Sequence, residues 1–499
     1  MEAIDRLRDL LGQVVDLNAA QAVLSWDQET YMPNGGLNAR AQQLATLGQL
    51  SHERFISDEV GHLLEELEPL AAELDADSDQ ARLIRVVRRD FDKATRLPAT
   101  LVAELARSTA VSQQAWKGAR EESDFARLRP HLERVLDLLR RKAEALGYEE
   151  TPYDALLDEY EPGMRTARVA AVFAVLRNEL VPMVRAIAEH PVPDDSFLRQ
   201  EFDQQRQWDF ALRVASDFGF DLERGRQDRS AHPFSTSFSV NDVRITTRVQ
   251  SNFLSSCLFG TLHEAGHAMY EQGVDTTLER TLLAGGTSLG VHESQSRLWE
   301  NLVGRSRPFW SFYYGLLQRE FPAQLGVVPI DQFYRAINKV EPSLIRVEAD
   351  EVTYNLHIML RFELETALMS GDLTVGDLPE AWNEKSREIL GLTPPDAASG
   401  VLQDIHWSAG LVGYFPTYAL GNLISAQLYE RATLEIRGLE DQIALGKFAD
   451  LLGWQREHIH RFGRKFTASE LLRRVIGSDL DAGAWLAYIR AKFGALYDL

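Results

Sequence analysis

The 499-residue chain contains a single cysteine, Cys257, so it can close no internal disulfide and build no cysteine-based zinc finger. A secreted fold stapled by disulfides is excluded on that ground. Nowhere do 18 apolar residues follow one another, so no membrane span is expected. The opening residues carry Glu2 and Asp5 with no apolar run behind them, unlike a signal peptide. Basic charge is also scarce: 53 Lys and Arg against 74 Asp and Glu leave a formal charge of -21. Such a chain is repelled by phosphate backbones and anionic membranes, and no block of like charges offsets this. These absences predict a soluble, cytoplasmic protein with no nucleic-acid or membrane partner.

What is present is globular and helical. Hydrophobic residues make up 45% and charged residues 25%, an ordinary mixture for a folded chain. Ile4, Leu7, Leu11, Val14 and Val15 recur at helical spacing, and similar stripes run through 80–120, 124–147, 165–190, 310–325, 343–370 and 423–452. The breaks between them, such as Met32-Pro33-Asn34-Gly35-Gly36 and Thr393-Pro394-Pro395-Asp396, are too short to be flexible linkers. The reading is one mainly α-helical domain over 1–499, with room for two lobes. Only the stretch from Phe234 to Gln250, rich in Ser, Thr, Val and Phe around Asn241-Asp242, predicts a β-hairpin. We expect a small antiparallel sheet there, lining or bracing a cleft.

The sharpest motif is His263-Glu264-Ala265-Gly266-His267, set in an apolar helical pattern from Phe253 to about Gly273. Histidines at i and i+4 share one helix face, roughly 5–6 Å apart at Cβ, and can grip one zinc ion. Glu264 lies beside the first of them, where it can reach a zinc-bound water as general base. A catalytic zinc needs a third protein ligand and an open position. Glu293 is the favoured candidate, because a turn-rich link (Ala284 to Ser288) and a returning helix would bring it over the His263/His267 face. His292 is its rival, but neighbours on a helix point about 100° apart, so one of the two faces the metal. The Glu-x-x-x-Asp pattern of many two-His-one-Glu peptidases is absent: Arg297 stands in the last place. Partners that orient the ligands must then come from elsewhere.

Polar clusters flank this motif. Arg244 lies in Asp242-Val243-Arg244-Ile245-Thr246, and Arg346 in Ile345-Arg346-Val347-Glu348-Ala349-Asp350 at the predicted start of a helix. Either guanidinium could grip a carboxylate, although Arg346 and Asp350 could equally pair with each other at i, i+4. His406, in Gly400-Val401-Leu402-Gln403-Asp404-Ile405-His406-Trp407, precedes Tyr414 and Tyr418, and these could donate hydrogen bonds to a developing oxyanion. His232-Pro233-Phe234 completes the set. Six of the twelve histidines fall between 232 and 406, so the middle and later chain is expected to build the site, with the N-terminal helices as wall or lid.

These motifs, in this order, together with Trp26-Asp27-Gln28-Glu29-Thr30-Tyr31-Met32-Pro33, resemble the carboxypeptidase Taq family of zinc metallocarboxypeptidases over nearly the whole chain. The resemblance implies a helical fold with a long deep groove, like neurolysin and angiotensin-converting enzyme. It implies a homodimer, and zinc replaceable by cobalt. The activity implied is removal of single residues from peptides with a free C-terminus, with broad side-chain tolerance. By position, His263, His267 and Glu293 would be ligands and Glu264 the base. Arg244, Arg346 and His406 would meet the substrate's terminal carboxylate at a closed groove end, and Tyr414, or its neighbour Tyr418, would be the oxyanion donor. Two other functions fit less well. One is an oligopeptidase with an open-ended groove, which would cut internal bonds or release dipeptides. The other is a peptide-binding scaffold with structural zinc, which would need a fourth protein ligand.

Overall fold

The structure, a computed structural model, describes residues 2–499. It is 67% helical, with one three-stranded sheet. The chain forms two compact units, each gathered from three separated stretches. Met1–Ala94, Asp194–Ile337 and Ser425–Asp479 make the first; Thr95–Pro193, Asn338–Ile424 and Leu480–Leu499 make the second. Among the described residues no helix is long and apolar enough to cross a membrane.

In the first unit, helix Glu2–Thr30 buries Ile4, Leu7, Leu10 and Leu11 on one face. They join a cluster with Val60 and Leu64, Leu83 and Val87, and Val274, Leu278 and Leu283. The expected hairpin is present as β2 (Ser235–Ser239) and β3 (Asp242–Thr247), with an irregular register between Ser237 and Ser239. The sheet, however, is mixed rather than antiparallel. A further strand, β1 (Gly225–Arg229), runs parallel to β3, from Gly225 opposite Val243 to Arg229 opposite Thr247. Its sequence, Gly-Arg-Gln-Asp-Arg, has no β-branched or aromatic residue to mark a strand. Pairing with β3, whose Val243 and Ile245 are fully buried, makes it one.

The motif helix spans Leu254–Gln272, entered from extended Phe253 and left at Gly273. It is buried on nearly every side, which suits its continuous apolar pattern. The return helix, Leu289–Arg297, starts where Ser288 Oγ accepts the Val291 N–H at 3.1 Å, and passes into a π-helical turn, Leu298–Val303. The two helices approach to backbone contact at Gly266: a Cβ added there would lie 2.6 Å from the Gln295 carbonyl oxygen and from Ser296 Cα. From behind, Gln295 Oε1 accepts from Gln455 Nε2 and faces His460 Nε2, both at 2.9 Å.

In the second unit, helices Ala99–Glu122 and Phe125–Leu146 pack side by side, and Phe362 of helix Tyr354–Ser370 meets Tyr153 and Phe173 edge-on. The apolar stripe at 343–370 becomes helix only from Tyr354. Arg346–Glu348 forms a 3₁₀ turn, and Asp350 Oδ1 accepts the Val352 and Thr353 N–H groups at 2.9 Å each. Asp350 is thus spent on the backbone and does not pair with Arg346.

Substituting Gly266 with Ala should push the return helix away from the motif helix. We expect a loss of about 1–3 kcal/mol in denaturant unfolding, as for overpacked cores. Weaker metal binding should accompany it, because the return helix carries Glu293.

Candidate metal centre

The motif helix sets the His263 and His267 rings one turn apart, with centroids 4.9 Å apart. The return helix brings Glu293 to them: its Oε2 lies 3.7 Å from His263 Nε2 and 3.5 Å from His267 Nε2. Ligand atoms of these three residues fall within 4.8 Å of one another. Tetrahedral ligands at about 2.0–2.1 Å from one zinc ion would stand about 3.3 Å apart, close to the spacing seen. The residues therefore fit the metal that the sequence implied.

The far side of each of these groups is held. His263 Nδ1 lies 2.9 Å from Glu300 Oε2, and His267 Nδ1 lies 2.6 Å from His292 Nδ1, whose Nε2 reaches Glu271 Oε1 at 2.8 Å. With Nε2 of each candidate ligand turned to the centre as acceptor, both Nδ1–H groups donate outward, and His292 passes its own N–H to Glu271. His292, engaged at both ring nitrogens, stands behind His267 rather than in the ligand set. Arg297 Nε donates to Glu293 Oε1 at 2.7 Å, and its Nη1 reaches Glu300 Oε2 at 3.2 Å.

The charges follow from this. Burial pushes Glu264 up to about 7, and Glu293 and Glu300 add to the push against His263. A carboxyl so tuned can take and return a proton near neutral pH. Burial also works on Glu293, but Arg297 and the two histidines outweigh it and hold that carboxyl well below the usual range. Glu300 likewise falls to about 2, its burial overcome by Arg297, His263 and Arg305. Burial brings His267 down to about 3, so it stays neutral, as a ligand must. His263 goes the other way: burial opposes its charge, but Glu293 and Glu300 prevail and raise it above the usual imidazole range.

The remaining candidates fall into two groups. In the first unit, Arg244 on β3 is paired bidentately with Asp242 at 2.9 Å per bond, and its guanidinium lies over Trp26 (4.4 Å) and Phe238 (4.8 Å). His232 is exposed, and its carbonyl accepts from Ser230 Oγ at 2.6 Å. In the second unit, Arg346, His406, Tyr414 and Tyr418 come together. Arg346 bonds Asp404 Oδ1 through Nε (3.1 Å) and Nη2 (2.8 Å), while Arg361 takes Oδ2 at 2.7 and 2.5 Å. The Arg346 guanidinium lies 5.2 Å from the Tyr418 ring centre, and the His406 ring sits 5.6 Å from Tyr414.

The profile of the carboxypeptidase Taq (M32) metallopeptidases matches residues 6–493. The chain belongs to that family. Thermostable carboxypeptidase 1 of Thermus thermophilus is 44% identical over 99% of both chains, and carboxypeptidase 1 of Bacillus subtilis is 36% identical over 98% of this chain and 97% of its own. The crystal structure of the M32 carboxypeptidase from Deinococcus radiodurans superposes with a TM-score of 0.97 at 44% identity, covering both chains completely. This M32 protein is a metallocarboxypeptidase, a peptide hydrolase.

Sequence reasoning missed several residues that hold the candidate residues in place within each unit. Glu271 is four residues beyond His267, and Glu300 seven beyond Glu293, so each continues a helix face already carrying a candidate ligand. Asp404 stands in a motif singled out for its histidine, and Arg361 gave no local signal. Replacing His292 with Ala should weaken metal binding about 10–100-fold, the usual cost of losing such a support, read by competition with a chelating dye. Glu271→Gln, which keeps an acceptor oxygen for His292, should lose less.

Proposed function

We propose that this metallocarboxypeptidase uses zinc, held by His263, His267 and Glu293, to release single residues from peptide C-termini with broad side-chain tolerance. The convergence of His263 Nε2, His267 Nε2 and Glu293 Oε2 on one point carries the reading. Zinc in that position supplies Lewis acidity and lowers the pKa of a water towards ~7; cobalt is expected to substitute. Glu264 takes the proton of the attacking water and delivers it to the leaving amine nitrogen. Its lift to about 7 supports both transfers.

Recognition of the terminal carboxylate falls to Arg346. Two buried guanidiniums, Arg346 and Arg361, share the one carboxylate of Asp404, so the cluster keeps a net positive charge that a free C-terminus would balance. Arg244 is the second candidate anchor, its stacking on Trp26 and Phe238 presetting the plane of its fork, and His232 is assigned to the substrate side with it. Burial brings His406 down to about 4, so its imidazole is neutral at pH 7 and can donate to an oxyanion; Tyr414, or Tyr418 beside it, is the companion donor. The buried, lone Cys257 suits a reducing cytoplasm, and assembly as a homodimer is proposed from the family resemblance.

The decisive experiment uses two N-blocked peptides, identical except that one ends in an amide, with products of the zinc-loaded enzyme read by mass spectrometry. Stepwise loss of single residues from the free acid alone is expected. Equal cutting of both, or internal fragments, would overturn the carboxypeptidase roles of Arg346 and Arg244. Glu264→Gln should keep zinc by metal analysis while turnover falls about 10²–10⁴-fold. His263→Ala should instead empty the site.

A further inference from the structure

Glu293 offers two oxygens, and the structure treats them differently. Oε2 faces the Nε2 atoms of His267 and His263 at 3.5 and 3.7 Å, with Ser296 Oγ at 3.4 Å on its flank. Oε1 is turned back along the return helix, where Arg297, one turn later, donates to it through Nε at 2.7 Å. The same guanidinium spans to Glu300 Oε2 through Nη1 at 3.2 Å, and Glu300 is in turn 2.9 Å from His263 Nδ1. Glu300 is further braced by Arg305 at 3.5 Å. Arg297 is therefore tied through Nε to Glu293 and through Nη1 to Glu300, so its guanidinium is held against Oε1 by two carboxylates.

We propose that Arg297 is a positioning residue that restricts Glu293 to one metal-facing oxygen. The proposal rests on the assignment of His263, His267 and Glu293 as the ligand set. A carboxylate free at both oxygens can bind a metal through either one or both. Bidentate Glu293 would give the ion four protein atoms, the count of a closed structural site, and would take up the open position that hydrolysis needs. By engaging Oε1 in a charge-assisted hydrogen bond, Arg297 keeps the count at three. An arginine where related sites carry an acid thus acts on the carboxylate ligand, while Glu300 and the His292–Glu271 pair take over the histidines.

The contact runs through Nε, which lets two neutral variants separate the hydrogen bond from the charge. Arg297→Gln places an amide nitrogen at the position of Nε and keeps the donor. Arg297→Met places a methyl group there and removes it. Crystal structures of the zinc-loaded proteins should show one Glu293 oxygen on the metal beside two imidazoles in the native enzyme and in Arg297→Gln, and both Glu293 oxygens on it in Arg297→Met. Turnover should fall about 10–100-fold in Arg297→Met with KM little changed, and recover most of that loss in Arg297→Gln. Zinc should remain bound in both.

If the Met variant shows a single oxygen, or if Gln and Met behave alike, the proposal is overturned. Should Arg297→Met fail to fold, Arg297→Gln still decides, because a second oxygen at its zinc contradicts the role given to the Nε donor. A native zinc-loaded structure lacking His263, His267 and Glu293 on the metal would instead overturn the ligand assignment, a different failure with a different signature.

Discussion

Two helix backbones touching at Gly266 set the geometry of everything around the metal centre. The motif helix can present His263 and His267 on one face by its periodicity alone, but a third donor must come from another element at the right height. Contact between Gly266 and the Gln295–Ser296 backbone fixes that height to within an atom's width. Glu293, one turn before Ser296, then lies opposite both imidazoles, and Arg297 and Glu300 follow on the same face. A side chain at 266 would move all three together.

The second constraint is electrostatic. Four carboxylates, from Glu264, Glu271, Glu293 and Glu300, are buried around the centre, and the guanidiniums that answer them are Arg297 and Arg305. Burying like charges is costly unless hydrogen bonds or a counter-ion compensate. Part of the excess is relieved where Glu264 is lifted to about 7 and holds its proton longer. The rest is a standing attraction for a cation. The second unit shows the opposite sign: Arg346 and Arg361 around Asp404 leave positive charge in excess, suited to an anion.

Much of this is legible in the sequence, for reasons tied to distance along the chain. The His263/Glu264/His267 set reads directly, because a four-residue period is a property of one helix. The return helix and Glu293 read because the turn-rich link before them is short. The hairpin of β2 and β3 reads from its composition, whereas β1 does not, since Gly-Arg-Gln-Asp-Arg becomes a strand only through a partner eighteen residues later, as with Gly225 and Val243. Helical spacing offers Asp350 as a partner for Arg346, but Asp350 spends its oxygens capping the backbone and Asp404, 58 residues away, takes the arginine. The absence of an acid at 297 is visible in the sequence. What the arginine does there is not, because Glu271, His292 and Glu300 must first be placed.

The bonds from Gln455 and His460 to Gln295 have a consequence for how the protein is made. The return helix is anchored from behind by residues about 160 positions further along the chain. During synthesis, His263, His267 and Glu293 leave the ribosome well before that anchor exists. At about 5–20 residues per second, the delay is roughly 8–32 s. Through that interval the nascent chain carries two imidazoles and a carboxylate without the partners of Gln295. A chain cut short before Gln455 would carry the whole motif without the side chains that hold Gln295 of the return helix from behind.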